Sequence, residues 1–489
     1  MTFQKAQNMY CIGIGGIGVS AIARYAQLLG KHVSGSDISE SMITRMLTQE
    51  GLYIDIGPQK TESIREDCDL VVYSSAVPFD NPQRVEAARR GITRMSYPAV
   101  LGEIAQSHTN IAIAGMHGKS TTTAMLGLVA QAAELDPLVI VGTLVPQFSP
   151  PLLYKEGVGG GKQRGSNLLA GKGDLFIVEA CEFSGHFQTL APDYLIITNI
   201  DADHLDYFKT QENIDAAFLA FALKCKKKII ACGDDVRCRR VLKDLPNVIW
   251  YGVEEGGVET GLTPSLQIPG AHNVLNALGV VAMARELEID DKITKKALES
   301  FVGTWRRFEL VGYYTSPQPS PCKGEGGGIP SPCKGEGRSA LSKVHPMVGE
   351  VTGGGCSIPV ISDYAHHPIE IMATIQAARE KYPDKKIFIV FQPHQRNRTQ
   401  QLKDDFIKSL SLADTLIICE IYDVAGREHG EDISSQYIVD GLKAQNKDAH
   451  YAKNFQQAEQ MIREFASPDD VLLIMGAGDI DILAREIIT

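Results

Sequence analysis

The residues best suited to chemistry lie in Gly115-Met116-His117-Gly118-Lys119-Ser120-Thr121, which follows the apolar run Ile111 to Ala114 and opens a polar helical stretch. Gly-x-x-Gly-Lys-Ser in that setting offers backbone N–H groups and a helix dipole to phosphates. Lys119 can reach the terminal phosphates, and the Ser120 or Thr121 hydroxyl can reach Mg²⁺. The loop is shorter than the usual Walker spacing. A merely capped helix start would explain neither the lysine–hydroxyl pair nor the preceding strand. A magnesium ion there needs hard oxygen ligands nearby. Glu179 closes the run LFIVE, and His204 lies in TNIDADHLDY after YLIITN. Both fall at carboxyl ends of strands, where open α/β sheets place their sites. The neighbouring acids Glu182, Asp201, Asp203 and Asp206 are read as solvated loop charges.

A second candidate is Gly13-Ile14-Gly15-Gly16-Ile17-Gly18, directly after a strand and before the helical stretch from Val19, with Asp37 closing the next strand. The glycines allow a tight turn and a close approach of amides to a diphosphate, while Asp37 can accept from a ribose hydroxyl. This pattern specifies a diphosphate more securely than it specifies NAD, and a UDP-sugar carries the same group, so both ligands stay open on the motif. A third glycine-rich stretch, Gly157 to Gly161, lacks a strand before and a helix after it and reads as a mobile loop.

These loops need parallel strands to position them. Apolar runs at Met9 to Ile14, Asn110 to Ala114 and Lys386 to Phe391 each read as the first buried strand of an α/β unit. Further short runs alternate with helical stretches: Leu70 to Tyr73, Leu175 to Val178, Tyr194 to Thr198, Lys228 to Cys232, Thr415 to Cys419 and Val471 to Met475. The chain is therefore expected to be α/β, with three doubly wound domains over 1–107, 108–304 and 305–489. The first and last would be Rossmann-like, and the middle one, which carries the Lys119 loop, of P-loop type. PSPCKGEG occurs at Pro319 to Gly326 and again at Pro330 to Gly337, so the region near 316–340 reads as a disordered surface insertion. Its Cys322 and Cys333 lack the spacing and histidine neighbours of a metal site.

Composition limits the partners. The 489 residues carry 59 acidic against 48 basic side chains, a net charge of −11, which argues against general binding to nucleic acid or anionic membrane. Any anionic ligand must be held locally. The ten cysteines are scattered, with no C-x-x-C, and read as reduced thiols of a cytoplasmic protein. The N-terminal apolar stretch runs into the glycine turn, and no apolar run approaches 18 residues, so neither secretion nor membrane insertion is expected.

In order along nearly the whole chain, the segments GIGGIGVSAIA, GSD, SSAVPFDNP, AGMHGKSTTT, VEACE, TNIDADHLDYF, GAHNVLNAL, RRFE, DYAHHPIEI, FQPHQRNRT and GAGDI resemble the Mur ligases of peptidoglycan synthesis. HHP followed by FQPH points to the alanine-adding branch. The resemblance implies ATP-dependent amide formation, in which the lactyl carboxylate of UDP-N-acetylmuramate is activated as an acyl phosphate and captured by L-alanine. It implies a UDP-sugar site at Gly13, Gly15, Gly16, Ile17, Gly18, Ser36, Asp37 and Ser75. It implies an ATP site at Gly115 to Thr121 with His272, Asn273 and Asn276 toward the adenine, and with Arg307 and Asp363 reaching a phosphate and the ribose. His366, His394 and Arg398 would line the alanine end. Catalysis would fall to Lys119, Glu179, His204, Arg307 and His367, with magnesium on Ser120, Glu179 and His204.

The chain departs from the family in three places. The usual His-Arg-Tyr-Thr-Arg is His394-Gln395-Arg396-Asn397-Arg398 here, so one arginine is lost or displaced by a place. Cys181 stands where an aspartate is usual. The carbamylated lysine of several sister ligases has no counterpart after His204, and none is expected. The competing readings are a ligase attaching murein tripeptide to the same UDP-sugar, which FQPH speaks against, and an NAD(P)-dependent oxidoreductase, which leaves Lys119, Glu179 and His204 unused. A non-catalytic nucleotide-binding protein is disfavoured by the intact phosphate loop.

Overall fold

The structure is a computed structural model that describes residues 1–148, 165–201, 205–253, 264–315, 357–423 and 433–488. The PSPCKGEG repeat, the glycines at 157–161, Asp203 and His204 lie outside the described residues.

Three sheets follow one another along the chain. The first comprises β1 (Asn8–Ile12), β2 (His32–Asp37), β3 (Tyr53–Ile56), β4 (Leu70–Tyr73) and β5 (Thr93–Ser96), in the spatial order β3-β2-β1-β4-β5 with every pairing parallel. The second comprises β6 (Thr109–Ala114), β7 (Leu138–Val145), β8 (Ser166–Ala170), β9 (Leu175–Glu179), β10 (Tyr194–Ile197), β11 (Lys228–Cys232) and β12 (Val248–Tyr251), in the order β12-β11-β10-β6-β9-β7-β8. Only β8 runs antiparallel to its neighbour, β7. The third comprises β13 (Glu309–Thr315), β14 (Ser357–Asp363), β15 (Lys386–Phe391), β16 (Thr415–Cys419), β17 (Asp448–Ala452) and β18 (Asp470–Met475), in the order β13-β14-β18-β15-β16-β17. The expected α/β architecture is present, with the central strands covered on both faces, as their near-continuous apolar runs require.

The glycine turns follow strands as the sequence suggested. β1 stops at Ile12, two residues before the expected Ile14, because Gly13 turns into the left-handed region at φ +72° and its N–H is taken by Ser36 O at 2.9 Å. The helices Ile17–Leu28 and Lys119–Ala132 both begin at glycines, Gly16 and Gly118, with no side-chain cap. The helices that begin after Ser41, Asn81, Thr210, Asp235, Asp290 and Asn454 are capped by those side chains. An uncapped start keeps its first N–H donors for something outside the helix.

The chain divides into two compact units, Met1–Glu309 and Leu310–Thr489. The first two sheets share one unit because their cores merge. Phe3, Ile22 and Leu101 from the first domain belong to the same buried cluster as Phe176, Phe187 and Phe218 from the second. The unit also runs past Thr304, because the Trp305 N–H donates to Leu144 O (2.9 Å) and Thr143 Oγ1 donates to Trp305 O (2.9 Å), tying this segment to β7.

A fully enclosed polar cluster lies where the first two sheets meet. The Arg24 guanidinium, 1% exposed, forks onto the Glu50 carboxylate at 2.7 and 2.8 Å and donates to Asn167 Oδ1 on β8 at 2.5 Å. Removing one member of such a pair strands the other charge in a dry interior. Glu50→Ala should therefore destabilise residues 1–309 by about 3–5 kcal/mol. Both tryptophans, Trp250 and Trp305, lie in this unit, so urea unfolding followed by their fluorescence reads it directly. A loss below about 1 kcal/mol would place the pair in the solvent-screened class instead.

Candidate active site

β6 and β10 are adjacent and level, with Ala114 paired to Ile197. The residues that follow therefore meet across the end of the sheet. Asn199 Oδ1 accepts from the N–H groups of Met116 (3.0 Å) and His117 (2.9 Å), and its Nδ2 donates to His117 O (2.8 Å). Thr198 Oγ1 donates to the same carbonyl at 2.6 Å. Gly115 (φ +137°) and Gly118 (φ +83°) are glycines for two reasons: the backbone is left-handed, and a Cβ would strike Thr198 Oγ1 at the first and the Asn276 amide at the second. The amides of Met116 and His117 are thus spent on shaping the loop. The donors left to aim at phosphate are those of the first helical turn beyond Gly118.

Lys119 curls back over its own loop. Its Nζ donates to Gly115 O (2.6 Å) and Met116 O (3.1 Å) and pairs with Glu182 at 2.9 Å. The two side chains are only 11% and 3% exposed. Burial works against the ammonium, but the anions around it, Glu182 foremost and Glu179 among them, hold its pKa above the ordinary lysine value. Glu182 is therefore no solvated loop charge, as the sequence suggested; it is the counter-ion of the loop lysine. Asp201 is half-buried and pairs with Arg237 at 2.7 Å. Burial pushes the Cys181 thiol up to about 12, so the residue standing for the family's aspartate is neutral here.

Glu179 ends β9 and accepts from the Gly142 N–H of β7 at 2.7 Å. A Cβ on Gly142 would lie 2.7 Å from Glu179 Oε2, so a larger residue here would displace that carboxylate. Among the helix's hydroxyls, Thr122 and Thr123 donate back to Gly118 O (2.9 Å) and Lys119 O (2.8 Å). Ser120 and Thr121 make no such bond. Those two hydroxyls and the Glu179 carboxylate are hard oxygen donors of the kind magnesium takes. His204 lies outside the described residues, and among those described no group of three His, Cys, Asp or Glu side chains gathers as a metal cluster.

The helix Ala271–Glu286 brings Asn273 and Asn276 to the loop as a buried pair, 3.4 Å apart, with Asn273 Nδ2 donating to Pro269 O (2.7 Å). His272, one turn nearer the helix start than Asn276, is exposed. Arg307 lies between Arg306 and Phe308, whose φ values of +55° and +50° are left-handed. The segment's attachment to Thr143 and Leu144 brings it to the β7 end beside Gly142.

At the first glycine loop, Asp37 Oδ2 accepts from the Gly15 N–H at 2.8 Å, so this carboxylate helps to shape the loop. Gly16 and Ser75 are exposed, and Gly13, Gly15, Ile17 and Gly18 are half-buried. Ser36 also shapes the loop. It is buried, its hydroxyl donates to Gln83 Oε1 (2.6 Å), and it serves the loop through its carbonyl, which accepts from Gly13 and Ile14. The Tyr97 ring lies against Gly18, and its hydroxyl is pushed up in pKa by burial and by Glu179.

The second unit carries its own cluster at the carboxyl ends of its strands. Asp363 closes β14, with Oδ1 accepting from the Ala365 N–H at 2.7 Å. His366 contacts Tyr364 O (3.1 Å) and Glu370 (3.2 Å) through Nδ1. Its ring meets the His394 ring edge-on at 5.9 Å, and His394 stacks on Tyr422 at 5.7 Å. His367 is buried as the N-cap of the helix Pro368–Lys381, in a capping box with Glu370. That is a structural occupation for a residue expected in catalysis. Arg396 donates to Asp423 (2.6 Å) and Ile433 O (2.5 Å), which holds it within the second unit. Arg398 lies on the same short helix, Arg396–Gln401.

Sequence reading passed over Gly142 and gave no role to Thr198 and Asn199, which it met only as the start of TNIDADHLDYF. Only Gly142 carried a local signal, a glycine inside an apolar strand.

Three family descriptions match the chain in succession: the Mur ligase family catalytic domain over residues 8–109, the Mur ligase middle domain over 113–284, and the Mur ligase glutamate ligase domain over 349–478. A UDP-N-acetylmuramate–L-alanine ligase of Alkaliphilus metalliredigens is 36% identical over 512 residues, covering 99% of this chain and 98% of that protein. One from Sorangium cellulosum is 34% identical, with coverage of 98% and 96%. The solved UDP-N-acetylmuramate–alanine ligase of Thermotoga maritima has a TM-score of 0.75 at 26% identity, over 98% of each chain. A murein peptide ligase of Psychrobacter arcticus shares the fold, with a TM-score of 0.65 at 21% identity. A phosphate loop set between Asn199 and Asn276, three such domains in succession and relatives matched end to end make one assignment: this chain belongs to the Mur ligase family.

Proposed function

We propose that the protein joins L-alanine to the lactyl carboxylate of UDP-N-acetylmuramate at the expense of ATP, releasing ADP and phosphate, as a cytoplasmic step of peptidoglycan precursor synthesis. The observation that carries this is the buried ammonium of Lys119, kept charged beside Glu182 at the start of an uncapped helix. The full-length relatives bearing that activity support the choice of substrates. No helix among the described residues is long and apolar enough to cross a membrane. Nothing in the relatives supports an oxidoreductase, and the resemblance to the murein peptide ligase is one of fold.

The chemistry joins two anions, so charge neutralisation dominates it. The lactyl carboxylate oxygen attacks the γ-phosphorus and ADP leaves. The alanine amine then attacks the acyl carbon, sheds its proton, and phosphate departs. Lys119 and the amides beyond Gly118 offset the charge that develops on the β,γ-phosphates. Bound magnesium would supply further positive charge there, held by Ser120 or Thr121 and Glu179, with His204 added by the family pattern. Asn273 and Asn276 support the loop and the nucleotide beside it. The Gly15 to Gly18 turn and Asp37 hold the UDP-sugar. In the second unit Asp363 and Arg398 serve ATP and the amino-acid carboxylate, and the His366–His394–Tyr422 row lines the alanine end.

ADP release by the purified protein should require both UDP-N-acetylmuramate and L-alanine, and turnover of NADH without ATP would sink the reading. An amino-acid panel in the same assay tests the altered His394 to Arg398 segment, with alanine expected to lead. Lys119→Ala should reduce ADP formation by about a hundredfold or more while UDP-sugar binding persists. Because the anions raise the Lys119 pKa above its ordinary 10.5, its charge persists through mildly alkaline solution. ATP affinity should accordingly stay flat from neutrality to about pH 9, and a fall across that range would show a lysine depressed by burial.

A further inference from the structure

Asn167 belongs to β8, in the sheet that carries the phosphate loop, yet its side chain is buried against the glycine-loop helix of the first domain. Its Nδ2 donates to the backbone oxygen of Ile17 and, at 2.9 Å, to Ser20 Oγ; Ser20 Oγ itself donates to Ile17 O at 2.8 Å. Its Oδ1 accepts from Arg24, which is locked by its fork onto Glu50. That charged donor fixes which end of the amide faces which partner.

The Ile17 oxygen and the Gly18 N–H belong to one planar peptide unit, so holding the oxygen sets the direction of the N–H. That N–H is among the uncapped donors of the helix start, and the Tyr97 ring against Gly18 prevents the unit from sliding sideways. We propose that Asn167 is a positioning residue for the nucleotide-sugar site: from outside the first domain it grips the Ile17–Gly18 peptide and aims its N–H at the ligand's diphosphate. The inference rests on the UDP-sugar reading of that loop.

Asn167→Asp separates aim from packing. It preserves shape and the acceptor for Arg24, and it removes both donors to the helix turn. Titration of the full chain with UDP-N-acetylmuramate should show about tenfold weaker binding, with ATP binding within about twofold of the parent. Equal UDP-sugar affinity in parent and variant overturns the proposal, as does an equal loss for both ligands, which would indicate general loosening. Should Asn167→Asp fail to fold, Ser20→Ala removes one of the two acceptors and should weaken the UDP-sugar alone, by about threefold; no change there overturns it equally. A parent chain that binds no UDP-N-acetylmuramate overturns the nucleotide-sugar reading and this assignment with it.

Discussion

The phosphate loop depends on two neighbouring parallel strands ending at the same level. Because Ala114 is paired with Ile197, the next residues of each strand emerge side by side, and Asn199 can take both the Met116 and His117 amides on one oxygen. A slip of one residue would turn over the faces of β10 and move Asn199 away from those amides. The crowding that demands glycine at 115 and 118, the helix that starts at Lys119, and the return of the lysine to the Gly115 carbonyl all follow from that alignment. The strands that set it are buried on both faces, which leaves their register little freedom.

Electrostatics then decides what the loop can do. A lysine as enclosed as Lys119 would tend to lose its proton, and the carboxylates of Glu182 and Glu179 prevent this. The protein as a whole is acidic, with a net charge of −11, yet the enclosed ammonium of Lys119 is sustained by nearby acids. Burial keeps the Cys181 thiol neutral, so it adds no further negative charge beside Lys119. Overall charge and local potential thus answer different questions, the first about bulk partners and the second about the ligand at the loop.

Much of the architecture was legible in the sequence because the strands are short apolar runs ended by a glycine turn or by polar residues, and that is a local property. Leu70–Tyr73, Lys228–Cys232, Lys386–Phe391 and Thr415–Cys419 have the bounds expected of them. What escaped is set by partners distant in the chain. Glu182 looks like any acid in a loop until Lys119, 63 residues earlier, folds against it. Asn199 lies 83 residues from the amide of Met116, and Asn167 lies 150 from Ile17. The bonds of Ser36 to Gln83 and of Arg396 to Asp423, 47 and 27 residues away, are equally invisible in the local pattern.

The merged core of the first two sheets bears on how such a chain can be recombined. Arg24 and Glu50 come from one domain and Asn167 from the next, and apolar residues on both sides of residue 107 close a single cluster. The first domain is therefore not a cassette. Swapping residues 1–107 between relatives would carry away two of the three members of a buried polar network and one side of a hydrophobic seam. Viable crossovers between family members should instead fall near Glu309 and Leu310, where the two compact units divide.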